Sequence, residues 1–384
     1  MPSSTLDTLG AVREAVGAVV DPELRRSLGE LEMIREVVVD DGVASIGVLL
    51  TIVGCPMAQR IERDVREAAA AVPGIREAHV ELGVMTDEQR AALTARLRGS
   101  RPKATSPFTA DSLTRVIAVT SGKGGVGKSS VTANLAVSLA ARGLRVGLVD
   151  ADVHGFSIPG LLGLLDADGR AVRPTRVDDL VLPPIAHGVK VVSIGMFLRP
   201  GAEDAAVSWR GPMLHRTLEQ FLNDVFFGDL DVLLIDMPPG TGDVAISVGQ
   251  LLPHAEVLVV TTPQRAAAEV AVRSGLLARQ LGQRIAGVVE TMSPSVLPDG
   301  SPFEPFGSGG GTAVADRLTA LGDAVPALGG VPFSTALRSG GDDGIPVVVG
   351  NPADPAAQAI AALAESLAVR PRTLAGVKLP LAVA

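Results

Sequence analysis

The chain has 384 residues, 47% hydrophobic and 20% charged, enough to bury a core in two domains and too apolar for a disordered chain. A net charge of −8, with nine Phe, one Trp and no Tyr, argues against a nucleic-acid surface, which needs excess cationic side chains and stacking rings. The single cysteine, Cys55, excludes an internal disulfide framework and any metal site built from several cysteines of one chain.

Residues 1–10 have neither a basic start nor an apolar core, so no signal peptide is expected. No apolar run reaches the roughly 18 to 20 residues of a bilayer span. The expectation is a cytoplasmic protein that uses no membrane. In chain order, residues 6–20 carry apolar side chains at helical spacing, stopped by Asp21-Pro22. Residues 43–53 predict a strand, 57–71 a helix, 78–84 a second strand and 87–98 a charged, exposed helix. Residues 99–111 (GSRPKATSPFTAD) lack periodicity and read as a linker. These signals predict a small α/β domain over 1–99, a linker over 100–112, a second domain over 113–369 and a tail over 370–384. The second domain repeats strand, loop and helix: a strand at 116–119, a helix at 130–141, and strands at 146–149, 189–194, 232–235, 257–260 and 285–289. Near-continuous Val/Leu/Ile runs mark strands covered on both faces. With helices between them, they predict right-handed crossovers and a doubly wound, mostly parallel sheet.

Between the first strand and helix of that domain stands Gly122-Lys123-Gly124-Gly125-Val126-Gly127-Lys128-Ser129, which matches the phosphate loop G-x-x-x-x-G-K-[ST]. Its glycines let backbone N–H groups turn inward, and the helix N-terminus adds partial positive charge for phosphate. Lys128 is expected to reach the β- and γ-phosphates of ATP, and the Ser129 hydroxyl to ligate Mg²⁺. Lysine is scarce in this chain, yet Lys123 and Lys128 fall in this one loop, where a compact point charge suits phosphate. Residues 231–236 form an apolar strand ending in an acid, so Asp236 is expected to hold Mg²⁺ through water. Asp150 closes the 146–149 strand and Asp152 follows. Asp152 is assigned the attacking water and Asp150 a supporting place at the metal. Pro238-Pro239-Gly240-Thr241-Gly242-Asp243 reads as a switch loop, with Thr241 and Asp243 sensing the γ-phosphate.

The second lysine narrows the class. A K-G-G-x-G-K-[ST] loop resembles that of the deviant Walker ATPases, which include Mrp/ApbC-type carriers, MinD and ParA proteins and the nitrogenase iron protein. That resemblance implies a homodimer across the ATP site, with Lys123 reaching the partner's nucleotide. Further segments resemble the Mrp/ApbC iron–sulfur cluster carriers in particular. These are Asp150-Ala-Asp152-Val-His154-Gly155 with Ser157-Ile158-Pro159, Trp209-Arg210-Gly211-Pro212-Met213, residues 236–243, and Phe306-Gly307-Ser308-Gly309-Gly310. Asp21-Pro22-Glu23 and Thr51-Ile-Val-Gly-Cys55-Pro56 resemble the small metal–sulfur-assembly domain often fused in front of that ATPase. The resemblance covers nearly the whole chain. It implies a slow, dimer-dependent ATPase that carries iron–sulfur clusters to apo-proteins, with ATP and Mg²⁺ as cofactors.

The sequence departs from that family at two places. Where the family carries the C-x-x-C that holds a bridging cluster across the dimer, this chain reads Leu297-Pro298-Asp299-Gly300. The family's Asn near the adenine is replaced within Glu290-Thr291-Met292, which leaves base choice less defined than phosphate binding. Cys55 precedes a helix whose N-terminus is expected to lower its thiol pKa. Three roles stay open for it: a ligand for iron or a cluster, a partner-docking residue, or an inert packed side chain. As a ligand it needs help, because a dimer supplies two such thiols and the rest must come from partner protein, small thiols or carboxylates. A second reading of the whole chain is a positioning switch like MinD or ParA. Its membrane form needs a basic amphipathic end, and residues 373–384 hold one Lys and a Pro. A third is an ATP-dependent assembly factor without cluster chemistry.

Overall fold

The computed structural model describes residues 3–52, 55, 57–99, 106–153, 155–198, 211–297 and 299–368, with side chains from residue 8 onward. Val53, Gly54, Pro56, His154, Trp209, Arg210 and Pro298, each part of a motif named above, lie outside the described residues, as do 100–105 and the tail 370–384. Contacts divide the chain into two units. One comprises residues 1–106, 173–185 and 220–228, the other residues 107–172, 186–219 and 229–384.

The first unit contains helix α1 (Ser3–Gly17), strands β1 (Ile34–Asp40) and β2 (Val43–Leu50), helix α2 (Ala58–Ala70), strand β3 (Glu77–Val84) and helix α3 (Asp87–Arg98). Strands β1 and β2 pair antiparallel, and β2 pairs parallel with β3. A parallel neighbour needs a crossover, and α2 supplies it. Helix α2 buries Ile61, Val65 and Ala69, four residues apart on one stripe, so its charged residues are left on the other faces. Helix α3 starts on a reciprocal cap, in which the Gln89 N–H donates to Thr86 Oγ1 and the Thr86 N–H donates to Gln89 Oε1. The antiparallel ribbon of Thr175–Val177 and Leu180–Leu182 belongs to this unit, and Val177, Leu180 and Leu182 enter the same core cluster as Cys55.

The second unit is built on seven parallel strands: β4 (Arg115–Ser121), β5 (Val146–Asp150), β6 (Val189–Ser193), β7 (Val232–Asp236), β8 (Glu256–Thr261), β9 (Arg284–Ser293) and β10 (Ala327–Pro332). They lie in the order β10-β9-β8-β4-β7-β5-β6. Every residue of β5, β7 and β8 is buried, and all of β4 beyond Arg115. Helices α4 (Lys128–Ala141), α5 (Gly211–Asp224, of which residues 220–224 fall in the first unit), α6 (Asp243–Leu251), α7 (Arg265–Gln280), α8 (Gly310–Ala320) and α9 (Pro355–Ala368) follow along the chain. Helix α4 packs between the sheet and α9, and fully buried side chains such as Ile117, Leu135 and Leu148 each contribute roughly 1.5–3 kcal/mol. The chain leaves β4 toward β5 on one side and later returns to β8 on the other. The carboxyl end of β4 is therefore the switch point at which sheets of this kind bind ligands. Among the described residues no helix is long and apolar enough to cross a membrane.

Candidate nucleotide site

The loop from Gly122 to Gly127 joins β4 to α4 and is tied down by its neighbours. The Ser121 hydroxyl donates to the Lys123 carbonyl at 2.9 Å, and the Gly240 N–H donates to the Ser121 carbonyl at 2.7 Å. The Thr291 hydroxyl lies 2.6 Å from the Val126 carbonyl and 2.9 Å from the Thr261 carbonyl, linking the loop to the ends of β8 and β9. Gly125 and Gly127 have φ of 75° and 78°, a left-handed conformation that a side chain resists. Gly122 is required for a different reason: a Cβ there would stand 2.5 Å from the carbonyl carbon of Val270 in α7. The glycine pattern read from the sequence therefore records both conformation and close approach.

Lys128, the first residue of α4, turns its ammonium inward to within 2.8 Å of Asp236 Oδ2 at the end of β7. Lys128 is 6% exposed and Asp236 fully buried. The Ser129 hydroxyl donates to the same Oδ2 at 2.6 Å. The Thr132 hydroxyl lies 2.9 Å from Asp236 Oδ1 and 2.9 Å from the Lys128 carbonyl. Sequence reasoning missed Thr132. The signal that could have found it is its place four residues after Lys128, on the same face of the helix. An alcohol and a carboxylate oxygen this close, at a helix N-terminus beside inward N–H groups, form a donor set that suits Mg²⁺ and polyphosphate.

Asp150, expected beside the metal, anchors a loop in this structure. Its Oδ1 accepts from the Asp152 N–H at 3.2 Å, and its Oδ2 accepts from the Ser193 hydroxyl at 3.0 Å and the Ile158 N–H at 3.3 Å. Burial, then repulsion from Asp236, raises its carboxyl pKa, against the partial relief of those donors and of Lys128. The loop so held presents Asp152 to a cavity of about 550 Å³, which the phosphate loop, Gly155, Ser157, Pro238 and Pro239 also line. Asp152 Oδ1 accepts from the Gly155 N–H at 3.1 Å. Lys123 lines the same cavity, is exposed, and has no ion-pair partner among the described residues. Thr241 is exposed, and Asp243 is not brought to this cavity. Asp243 begins α6 and faces the start of α5, where a Cβ on Gly211 would lie 2.8 Å from its Oδ2.

Two further motifs resolve structurally. Gly310 starts α8 against β8, where a Cβ would meet the Thr262 carbonyl oxygen at 2.5 Å. Glu290 accepts from the Gly311 N–H at 2.7 Å and so caps that helix with negative charge. Cys55 overturns one expectation. Its thiol pKa is pushed up to about 11, chiefly by burial and with the negative charge of Glu23 and Asp21 adding to it. The N–H groups of Met57 and Ala58 only partly offset this. Cys55 is 7% exposed, with Sγ 3.9 Å from Glu23 Oε2, and Glu23 Oε1 accepts from the Thr175 hydroxyl at 3.0 Å.

Residues 112–368 match the family described as NUBPL iron-transfer P-loop NTPase. The chain belongs to that family. Residues 10–82 of this P-loop NTPase match a second family, described as iron-sulfur cluster assembly protein. It is 53% identical over 378 residues to an iron-sulfur cluster carrier protein of Mycobacterium bovis, covering 98% of this chain and 97% of the relative. It is 40% identical over 364 residues to an iron-sulfur cluster carrier protein of Synechocystis, covering 94% and 97%. Among solved structures it is similar to a nucleotide-binding protein of Archaeoglobus fulgidus in complex with ADP. That likeness has 34% identity and a TM-score of 0.50, over 60% of this chain and 86% of the other. The matched span of this P-loop NTPase includes residues 122–129, which carry the G-x-x-x-x-G-K-[ST] pattern.

Proposed function

We propose that this NTPase is an ATP-gated iron–sulfur cluster carrier of the cytoplasm, which closes as a homodimer on ATP and reopens after slow hydrolysis. The reading rests on one arrangement. Lys128 and Ser129 line the cavity and are tied to Asp236, which Thr132 also holds, while Lys123 stands exposed and without an ion-pair partner among the described residues in the same cavity. Backbone N–H groups of Gly122, Gly124, Gly125, Val126 and Gly127 would hold the phosphates, and Lys128 would leave Asp236 for the β- and γ-oxygens. Ser129 and Asp236 would hold Mg²⁺, with Asp150 fixing the loop that aims Asp152 at the attacking water. Lys123 would act on the nucleotide of the partner subunit, and Asp243 would sense the γ-phosphate only after the 238–242 loop rearranges. The domain over 1–99, joined by the linker 100–112 to the ATPase over 113–369, would meet apo iron–sulfur proteins or assembly factors. Membranes and nucleic acids have no part in this reading.

The test is cluster delivery to an apo-enzyme that needs a [4Fe–4S] cluster, scored by recovered activity with ATP, ADP or no nucleotide. Delivery is expected to depend on ATP. Lys128→Ala should lower ATP hydrolysis by at least about a hundredfold, since it removes the cation at the transferred phosphoryl group. Delivery at one rate in all three nucleotide conditions would reject the gating.

A further inference from the structure

We propose that the cluster this chain carries is held by thiolates from outside it, brought by a small thiol or by the cysteines of the protein that donates the cluster. The inference rests on the carrier reading and specifies its cargo. Iron–sulfur clusters are held by sets of cysteine thiolates, four in the ordinary cubane, or by cysteine pairs joined by histidines. This chain has one cysteine, so a homodimer brings two at most.

Neither of those two is presented as a ligand. Cys55 sits in the core of the first unit among Leu28, Ile46 and Ile61, 7% exposed, with its sulfur near the Glu23 carboxylate. Glu23 is itself turned to Thr175, and Asp21 lies close by with its Oδ1 accepting the Glu23 and Leu24 N–H groups. A cysteine ligates iron as its thiolate, and two neighbouring carboxylates together with burial oppose its formation, as the raised thiol pKa records. Among the described residues no group of three or more His, Cys, Asp or Glu side chains lies close enough to share a metal ion. The ribbon of Ser295–Val296 and Pro302–Phe303 carries the tip where the family resemblance places its cluster ligands. That tip exposes Val296 and Leu297 instead, 70% and 40%. Asp299, the acid there, has its Oδ1 occupied by the Ser301 hydroxyl at 2.6 Å and the Ser301 N–H at 2.9 Å. With one cysteine in the chain and no such donor group among the described residues, the ligands arrive with the cluster.

The experiment uses the full chain, purified anaerobically without thiol reductants and loaded with ATP and Mg²⁺. One arm adds ferrous iron and sulfide alone, a second adds glutathione to these, and a third adds a ferredoxin already carrying a cysteine-ligated cluster. Iron and cluster absorbance are then followed through gel filtration, for the wild type and for Cys55→Ser. The first arm is expected to retain no more iron than a buffer control. The second or third arm is expected to retain cluster, equally in wild type and Cys55→Ser, and whichever does so names the source of the thiolates. Stable cluster on the wild type in the thiol-free arm overturns the proposal by itself, whether or not Cys55→Ser folds, and leaves the carrier reading standing. Iron in none of the arms, with no activation of an apo-enzyme, overturns the carrier reading and the proposal together.

Discussion

Lys128 and Asp236 show how tightly the site is specified at the level of single atoms. The carboxylate is fully buried and lies within hydrogen-bonding distance of an ammonium and two hydroxyls, so each partner has a measurable share. Thr132→Val keeps the shape of the side chain and removes one donor. Leaving Asp236 Oδ1 short of a partner in a dry site should cost about 1–3 kcal/mol in thermal or denaturant unfolding. It should also lower kcat more than it raises KM for ATP, because Thr132 touches the acid and does not line the cavity. Cys55 gives a second residue-scale prediction. With its thiol near 11 against an ordinary 9.0, the thiolate fraction at mildly basic pH falls by about a hundredfold. Alkylation of the native chain by iodoacetamide should therefore be slow at pH 8 and climb steadily up to the raised value. A plateau near pH 9 would show an ordinary thiol.

At the scale of elements, the second unit is pinned at the starts of its strands. Glu256 of β8 is hydrogen-bonded by Arg115 of β4, Nε to Oε2 at 2.9 Å, and by Arg284 of β9. Arg115 also donates to the Leu367 carbonyl of α9. Burial alone would raise the Glu256 carboxyl, but the two guanidiniums outweigh it and hold it below its ordinary value. A lowered folded-state pKa stabilises the fold above the ordinary carboxylate range, and that stabilisation is lost as pH falls through the lowered value. Glu256→Gln should cost about 1–3 kcal/mol at neutral pH, with Arg284 half in solvent and partly screened. The melting temperatures of wild type and variant should converge on acidification. The strands that form the centre of this sheet were legible because their apolar runs carry no alternation: 116–119, 146–149, 232–235 and 257–260 all fall inside β4, β5, β7 and β8. Strand β1 was not, since Ile34–Asp40 offers only a three-residue Val run set between Arg-Glu and Asp, neither alternating nor long. Strand β10 hides for another reason, as Ala327–Pro332 holds two glycines and a proline. At the site, the motif spacing pointed to Lys128, Ser129 and Asp236, which lie within hydrogen-bonding distance of one another. The single letters at 150 and 243 could not tell a loop anchor from a metal ligand, or one cavity from another. That difference lies in tertiary hydrogen bonds.

For the whole molecule, the proposed action of the exposed Lys123 on a partner's nucleotide predicts a functional unit of two chains. Wild-type protein with Mg²⁺ and a non-hydrolysed ATP analogue should double in mass by light scattering. Lys123→Ala should show little of that shift and lose at least about tenfold in ATP hydrolysis, as when a cation supplied in trans is removed from a phosphoryl-transfer site. A Lys123→Ala protein that dimerises and turns over like wild type would count against action across the dimer. The pairing of Lys128 with Asp236 has a consequence for the resting chain as well. A bare phosphate ion could win the lysine only by stranding the aspartate without a counter-charge in a dry site, which is costly. A nucleotide that arrives with its magnesium offers an anion to one partner and a cation to the other, so both change hands in a single encounter. Two side chains 2.8 Å apart would in this way favour a metal–nucleotide complex over a loose anion.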